Sequence, residues 1–241
     1  MPRAAKKTAP KNAARKNSKS EKTPQLPLNE PIILRPTFRR ERRWLARGIW
    51  PVAGCDEAGR GPLAGPVVAA AVILDPGNIP DGIADSKVLE ADVRRTLYRE
   101  ILAHARVGIG IAGVDRIDSE NILNASLWAM ADAVAQLECR PRLVLVDGNK
   151  VPPRLTCASR AIVRGDAKCL SIAAASIVAK VTRDTIMIEL ARHFPAYGFE
   201  RHKGYGTAEH HAAIERHGVT PHHRRSFRPV QFALGLVAAD A

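Results

Sequence analysis

Short apolar runs that lead into acidic residues constrain this chain more than any other feature of its sequence. Three such runs are as short as a strand: Val52–Cys55, Leu143–Val146 and Ala161–Val163. Four acids come directly or closely after them: Asp56, Glu57, Asp147 and Asp166. Apolar runs of this kind, bounded by turn residues, are typical of buried strands. The pattern therefore predicts a sheet whose strands carry carboxylates at their ends.

Carboxylates at the ends of neighbouring strands indicate metal chemistry. Such acids converge and repel one another, and their burial is costly unless they are paired or bind a metal. Carboxylate oxygens suit Mg²⁺ and Mn²⁺, and two such ions commonly catalyse phosphodiester hydrolysis. Each acid alone also has a structural interpretation, because Asp147-Gly148 is typical of a turn and Asp166 could cap a following helix. Their repeated placement favours metal-dependent phosphate chemistry.

The remaining apolar patterns predict the elements around these acids. Pro66–Leu74 predicts a strand antiparallel to the first, because the loop before it is too short for a crossover. Val107–Val114 predicts a further strand. Helical spacing predicts four helices: Glu90–His104, Asp118–Leu137, Ser171–Leu190 and Ala208–Arg216. The combination predicts an α/β fold in which helices flank a mixed sheet.

The net positive charge of the chain comes almost entirely from the first 50 residues. The chain of 241 residues has 37 Lys and Arg against 24 Asp and Glu, and residues 1–50 hold 14 of the basic and three of the acidic residues. Residues 1–47 are predicted to be a disordered basic arm, which could bind nucleic acid or serve only as a solubilising tail. Within it, Arg35–Arg47 contains aromatic residues that could dock on the rest of the chain or on phosphates.

Membrane, disulfide and zinc interpretations find little support in the sequence. No apolar stretch approaches the roughly 18 residues of a membrane span. The four cysteines form no CxxC pair and accompany no secretory signal. We therefore expect reduced thiols, no membrane association and a cytoplasmic location. Six of the eight histidines lie in His202–His223, but without zinc-site spacing, so a polar, substrate-facing or solvated surface is the preferred interpretation.

Five segments resemble those of the bacterial type 2 ribonucleases H, the ribonuclease HII family. The two longest are GCDEAGRGPLAGPVVAAAV at Gly54–Val72 and the segment Gly165–Asp184, which contains SIAAASIVAKVTRD. The shorter ones are DSK at Asp85–Lys87, LVDGN at Leu145–Asn149 and GYGT at Gly204–Thr207. Their order and spacing match along nearly all of the chain after the arm, and the arm itself is outside the resemblance.

The resemblance implies an RNase H-like catalytic domain over residues 48–241, with a C-terminal helical substrate-binding region at about residues 195–241. It implies an endonuclease that uses two Mn²⁺ or Mg²⁺ ions. The enzyme would hydrolyse the RNA strand of RNA–DNA hybrids and cut 5′ of ribonucleotides embedded in duplex DNA, leaving 3′-hydroxyl and 5′-phosphate ends. These nucleic acids are the expected partners, and we expect a monomer without an obligate protein partner.

The resemblance also assigns the catalytic and metal-binding positions. The family's acids fall on Asp56, Glu57, Asp147 and Asp166, which the strand pattern had also selected. Asp184 competes for the fourth place. Asp166 is preferred, because it lies beside a strand end and ahead of a helix.

Substrate binding is assigned to a loop, a tyrosine and two lysines. Gly59-Arg60-Gly61 would read the sugar, because glycines let backbone groups approach closely and the 2′-hydroxyl distinguishes RNA from DNA. Tyr205 would pack on the sugar at the RNA–DNA junction, although it could also be a half-buried turn residue. Lys87 and Lys180 would contact phosphates, with simple solvation, or for Lys180 the covering of apolar surface, as the alternative.

Two other functions remain open at this stage. A different RNase H-fold nuclease, such as a type 3 or integrase-like enzyme, would also use carboxylates. A type 3 enzyme would carry a folded N-terminal domain, for which the arm is too short and too rich in proline. A non-catalytic protein could bind nucleic acid through the arm, but it would not need all four acids.

Overall fold

The computed structural model describes residues 35–237. Within them, five strands form one sheet: β1 (Val52–Ala58), β2 (Val67–Leu74), β3 (Ala105–Ala112), β4 (Leu143–Asp147) and β5 (Ala158–Ile162). Seven α-helices occur in the same range: α1 (Arg39–Leu45), α2 (Ala91–His104), α3 (Val114–Ala135), α4 (Leu170–His193), α5 (Phe199–His202), α6 (Ala208–His217) and α7 (Arg228–Ala233). The α/β fold with a mixed sheet is thus confirmed.

The order of the strands places two predicted site strands side by side. The order is β3-β2-β1-β4-β5, in which β1 pairs antiparallel with β2 and parallel with β4. Cys55 of β1 lies opposite Val146 of β4. Because parallel strands end at the same edge of a sheet, Asp56 and Asp147 come to adjacent positions at that edge.

Helices cover both faces of the sheet. α4 packs on one face against β1 and β2, and α3 packs on the other. Alternate residues of β2 enter the two cores, as the period of a strand requires: Ala70 and Val72 face α4, whereas Ala69 and Ala71 face α3. A Cβ atom on Gly54 would lie 2.1 Å from the backbone carbon of Ser171, so only glycine lets the start of α4 lie this close to β1.

Several element boundaries differ from the sequence predictions. β3 begins at Ala105, directly after α2 ends, and not at Val107. β5 covers Ala158–Ile162 rather than Ala161–Val163. It is a largely exposed edge strand, so its start is not marked by an apolar run. α3 begins earlier than predicted and is broken at Asn121, which has φ 69° and ψ 161°. The Asn121 side chain accepts the amides of Leu123 and Asn124 and so caps the second half of α3.

The prediction of disorder over residues 1–47 is wrong for residues 35–47. These residues include α1, and the buried Glu41 Oε1 accepts hydrogen bonds from the Ser171 amide at 2.9 Å and the Ser171 hydroxyl at 2.6 Å. The Phe38 side chain is buried and packs edge-on against Trp50. This segment therefore docks on the start of α4, one of the two alternatives left open for it. Residues 1–34 of the predicted arm lie outside the described residues.

The described part of the C-terminal region is made of short helices around a separate apolar core. That core joins α4, α6 and α7 through residues that include Met187, Phe199, Ile214 and Val230. Leu63 and Ala64, from the loop between β1 and β2, belong to the same core. The C-terminal helices are thus packed directly against the loop that is predicted to read the substrate. None of the helices within residues 35–237 has the length and hydropathy needed to cross a membrane.

Candidate active site

Three of the predicted acids lie near the ends of β1 and β4, although Asp56 and Glu57 are inside β1, which runs to Ala58 and does not end at Cys55. Asp56 is buried, and its Oδ1 accepts the Glu57 amide at 2.7 Å. Asp147 is the last residue of β4, and its Oδ1 accepts the amide of Gly165 at 2.6 Å. That bond ties the end of β4 to the loop carrying the fourth acid, Asp166. The strand-end pattern in the sequence thus corresponds to one local cluster.

Asp166 and Asp184, the two candidates for the fourth place, have different surroundings. Asp166 is buried and close enough to raise the pKa of Asp147 by charge repulsion. Asp184 is in ion pairs with Lys180 at 2.7 Å and with Arg94 at 3.9 Å, and its charge is not among those that raise the pKa of Asp56, Glu57 or Asp147. The geometry therefore favours Asp166.

The acids raise one another's pKa. Burial raises the pKa of Asp56 well above its ordinary value, and the charges of Glu57 and Asp147 raise it further. Burial also raises the pKa of Glu57, although the nearby Arg60 opposes this effect. Burial, followed by repulsion from Asp166, raises the pKa of Asp147. Carboxylates that repel one another in a partly buried place form a site that would be stabilised by a cation.

Two basic side chains balance part of this charge. The Lys87 Nζ lies 3.1 Å from Asp166 Oδ2, and the Arg60 Nη1 lies 3.3 Å from Glu57 Oε1. The side chain of Lys87 is 75% exposed and that of Arg60 is 50% exposed. Their partners are largely buried, with side chains 9% exposed for Asp166 and 12% exposed for Glu57, so each cation balances a carboxylate that water reaches poorly.

The donors of this cluster suit a hard divalent cation, although they are not preassembled as ligands. All four acids offer carboxylate oxygens, the donors that Mg²⁺ and Mn²⁺ prefer. Within residues 35–237, no three His, Cys, Asp or Glu side chains are close enough to form a ready ligand group. Asp56, Glu57, Asp147 and Asp166 would hold such an ion, and their mutual repulsion is what its binding would relieve.

A cleft of about 320 Å³ collects the predicted substrate residues beside the acids. The predicted residues that line it are Asp56, Glu57, Gly59, Arg60, Gly61, Lys87, Asp147, Lys180 and Tyr205. Asp166 is the one predicted site residue outside this lining, and it is joined to the cleft through Lys87. The structure brings these side chains together, and their roles stay predictions.

Tyr205 stands at the mouth of this cleft beside the glycine-rich loop. Tyr205 is 46% exposed, a value that fits a half-buried turn residue as well as a substrate-binding ring. A Cβ atom on Gly61 would lie 3.6 Å from the ring of Tyr205. The ring and the Gly59-Arg60-Gly61 loop therefore form two adjacent walls of one site.

Two serines and two arginines of the site were not selected from the sequence. The hydroxyls of Ser86 and Ser176 lie 2.9 Å apart, and Ser176 lowers the pKa of Asp56 in opposition to burial. Arg183 and Arg224 are 1% and 0% exposed. Ser176 and Arg183 fall within the family-like segment Gly165–Asp184, which could have drawn attention to them. No local pattern marks Arg224.

The interpretation of the histidines as a polar or solvated surface is wrong for His210 and His223. Both are buried, and their Nε2 atoms lie 3.0 Å apart. The His210 Nδ1 must donate to the Tyr205 carbonyl at 2.9 Å, because a carbonyl can only accept. In the neutral ring His210 Nε2 then accepts from His223 Nε2, and the His223 Nδ1 accepts the Thr220 amide at 2.9 Å. This chain of bonds holds the backbone of Tyr205.

Comparison with known proteins agrees with this arrangement. The family model described as Ribonuclease HII matches residues 53–230. Ribonuclease HII from Xanthobacter autotrophicus is 59% identical over 203 residues, which cover 84% of this chain and 81% of that protein. Ribonuclease HII from Sinorhizobium medicae is 56% identical over 211 residues, covering 88% of this chain and 96% of that protein.

Solved structures share the same fold. Ribonuclease H2 from Pyrococcus horikoshii superposes with a TM-score of 0.63 at 27% identity and covers 76% of this chain and 96% of that one. Bst-RNase HIII, at 18% identity and a TM-score of 0.66, is similar in fold alone; the match covers 79% of this chain and 72% of that one. The sequence relatives decide between the two types of enzyme. The chain belongs to the ribonuclease HII family and is a type 2 ribonuclease H.

Proposed function

We propose that the protein hydrolyses the RNA strand of RNA–DNA hybrids and cuts duplex DNA on the 5′ side of embedded ribonucleotides. The observation that carries this proposal is the cleft itself. Acids at the ends of two parallel strands share it with a glycine-rich loop and an exposed tyrosine. One wall is suited to phosphodiester hydrolysis, and the other is suited to contact with a sugar.

The four acids would hold two divalent cations, Mn²⁺ or Mg²⁺. When bound, such ions activate a water molecule for in-line attack and stabilise the leaving oxygen. Asp56 and Asp147 would provide the centre of the site, because their strands are adjacent and parallel. Glu57 and Asp166 would complete it from either side. Cleavage in which the 3′-oxygen is the leaving group leaves a 3′-hydroxyl and a 5′-phosphate.

The remaining residues would bind and orient the nucleic acid. Arg60, Lys87 and Lys180 would contact phosphates, because their side chains line the cleft and carry the charge that phosphates need. Backbone groups of the Gly59-Arg60-Gly61 loop would contact the 2′-hydroxyl of the ribonucleotide. Tyr205 would pack its exposed ring on the neighbouring sugar. We also propose that the protein works as a monomer in the cytoplasm.

A cleavage assay on a labelled duplex with one ribonucleotide tests this function. With Mn²⁺ or Mg²⁺ we expect a single cut 5′ of the ribonucleotide, no cut in EDTA, and no cut in Asp56→Asn or Asp147→Asn. The loss should be at least about a thousandfold, because these carboxylates would hold the ions that stabilise the transition state. The matched control is Asp92→Asn, which removes an exposed acid on α2.

A second measurement tests metal binding without an assay of activity. Mn²⁺ should raise the melting temperature of the unmodified protein, because an ion that binds only the folded state stabilises it. Asp147→Asn should show a smaller shift than Asp92→Asn. Cleavage at the unmodified rate by Asp147→Asn, or equal Mn²⁺ shifts in the two variants, would refute the assignment of the metal site.

A further inference from the structure

Arg224 is a fully buried arginine that binds the predicted substrate loop. Its side chain is 0% exposed. The guanidinium donates through Nη2 to the Gly59 carbonyl at 2.5 Å, through Nη1 to the Arg60 carbonyl at 2.8 Å and through Nε to the Gly65 carbonyl at 3.0 Å. One planar group therefore holds three carbonyls of the segment that joins β1 to β2.

The position of Arg224 is itself fixed from several sides. Its amide donates to the Leu63 carbonyl at 2.8 Å, and its guanidinium lies over the ring of Phe227, 5.1 Å from the centroid. His223, the preceding residue, forms an isolated β-bridge with Ala64 and belongs to the hydrogen-bond chain that reaches Tyr205. The same short segment thus supports both the glycine-rich loop and the tyrosine.

The charge of Arg224 has no ion-pair partner among the described residues. Among the described residues, no carboxylate oxygen lies within ion-pair distance of its guanidinium. Burial lowers the pKa of Arg224 and the neighbouring guanidinium of Arg183 lowers it further, whereas the charge of Asp118 opposes both effects. Burying a charge without an ion-pair partner is costly, and here three hydrogen bonds to otherwise unsatisfied carbonyls offset that cost. The three carbonyls are what this charge binds.

The direction of the loop amides follows from the planarity of the peptide bond. In a trans peptide the carbonyl and the following N–H point in opposite directions. Because the carbonyls of Gly59 and Arg60 point to Arg224, the N–H groups of Arg60 and Gly61 point away from it. Gly59, Arg60 and Gly61 line the cleft, whereas Arg224 does not. These two amides therefore face the cleft as donors.

We propose that Arg224 is a positioning residue for ribonucleotide recognition, which sets the amides of Arg60 and Gly61 to donate to the 2′-oxygen of the substrate. This inference rests on the proposed function of the loop. Arg224 does not touch the substrate, and it acts by fixing the planes of two peptides. Donors fixed in advance cost no ordering when the ligand binds, which is the reason that preorganised sites bind more selectively.

The test compares the affinities of two duplexes in EDTA, where no cleavage takes place. One duplex carries a single ribonucleotide, and the other has the same sequence in DNA alone. Arg224→Lys keeps the charge but loses the planar fork that reaches three carbonyls. We expect the preference for the ribonucleotide to fall about tenfold in Arg224→Lys, which corresponds to the loss of one well-placed hydrogen bond. Affinity for the DNA duplex should change much less.

Two further variants keep the test valid if Arg224→Lys is poorly folded. Phe227→Leu removes the ring beneath the guanidinium and leaves Arg224 in place, and it should lower the same preference by a smaller factor. Ile101→Val weakens the core at a residue that is 0% exposed on α2, away from the cleft. It should lower the melting temperature and leave the preference unchanged.

The outcomes separate this inference from the function on which it rests. If the unmodified protein prefers the ribonucleotide and both Arg224→Lys and Phe227→Leu keep the full preference, Arg224 has a structural role only and the inference is wrong. If the unmodified protein shows no preference, the loop does not read the sugar, and the proposed function of the loop is wrong as well. A preference lost in both variants and kept in Ile101→Val supports the inference.

Discussion

At the scale of single residues, two histidines stay neutral at acidic pH values at which histidine in water is protonated. His210 and His223 are neutral because burial lowers the pKa of each to about 4. Their shared hydrogen bond also requires that at least one Nε2 be unprotonated. Protonation of both rings would place two buried charges next to each other and would break the chain of bonds that ends at Tyr205.

This histidine pair predicts a loss of stability at acidic pH. In the unfolded chain histidine titrates near its ordinary pKa of about 6.5, so between pH 6.5 and 4 the unfolded state binds more protons than the folded state. The free energy of unfolding should therefore fall as the pH drops through this range, by about 2 kcal/mol per histidine at pH 5. Urea unfolding at pH 7 and pH 5 measures this change.

Matched variants separate the histidines from the other titrating groups. The cleft acids have raised pKa values and change stability in the opposite direction, so the difference between variants is more informative than the unmodified protein alone. His210→Gln should show a smaller loss between pH 7 and pH 5, whereas His217→Gln, at an exposed position, should behave as the unmodified protein. An equal pH dependence in all three would mean that the pair is not neutral and buried in solution.

At the scale of elements, α1 is a helix in a segment that the sequence analysis predicted to be disordered. Most of its residues are charged, and the pattern of arginines in Arg39–Leu45 indicated an arm. Two anchors decide otherwise. Phe38 packs in the core beneath α4, and Glu41 accepts two hydrogen bonds at the N-terminus of α4, where a negative charge is favourable.

Removal of the Glu41 carboxylate should destabilise the whole domain. Glu41→Ala leaves the buried amide and hydroxyl of Ser171 without their acceptor, so the free energy of unfolding should fall by about 2 kcal/mol. Arg43→Ala, at an exposed position of the same helix, should change it by less than about 0.5 kcal/mol. Urea unfolding of both variants gives the comparison. Equal values for the two would show that α1 does not dock through Glu41.

At the scale of the whole molecule, charge and specificity belong to different parts of the chain. Residues 1–34 contain eight basic and two acidic residues, whereas the cleft is built from acids, glycines and a few exposed cations. Phosphate contacts raise affinity without reading sequence or sugar. The charge of the first 34 residues would therefore raise the affinity for nucleic acid, and the cleft would select the ribonucleotide.

Deletion of residues 1–34 tests this division. The shortened protein retains Arg35 and α1, so its fold should be preserved. We expect weaker binding to the ribonucleotide-containing duplex and a less steep dependence of affinity on salt, because fewer phosphates are neutralised. The position of the cut should not change. An unchanged salt dependence would show that these residues do not contact the nucleic acid.

The strand-end acids were predictable from the sequence because their placement is local. An apolar strand carries its terminal residue to the edge of the sheet, so Asp56 and Asp147 could be located once the strands were recognised. The resemblance of five segments to the ribonuclease HII family added the glycine-rich loop and Tyr205 to the predicted site. The boundaries of β5 and α1 were not predictable in this way, because an exposed edge strand and an arginine-rich helix lack the apolar period on which such predictions depend.

The sequence by itself determined the buried strands, the acids near their ends and the family to which the chain belongs. Only the tertiary structure decided which residues support the substrate loop. Arg224 is 165 residues from Gly59 along the chain, and His223 is 13 residues from its partner His210. The contacts of a buried polar side chain are set by which backbone groups the fold leaves without a partner. No pattern along one segment carries that information, because the donor and the acceptor lie in segments that meet only after folding.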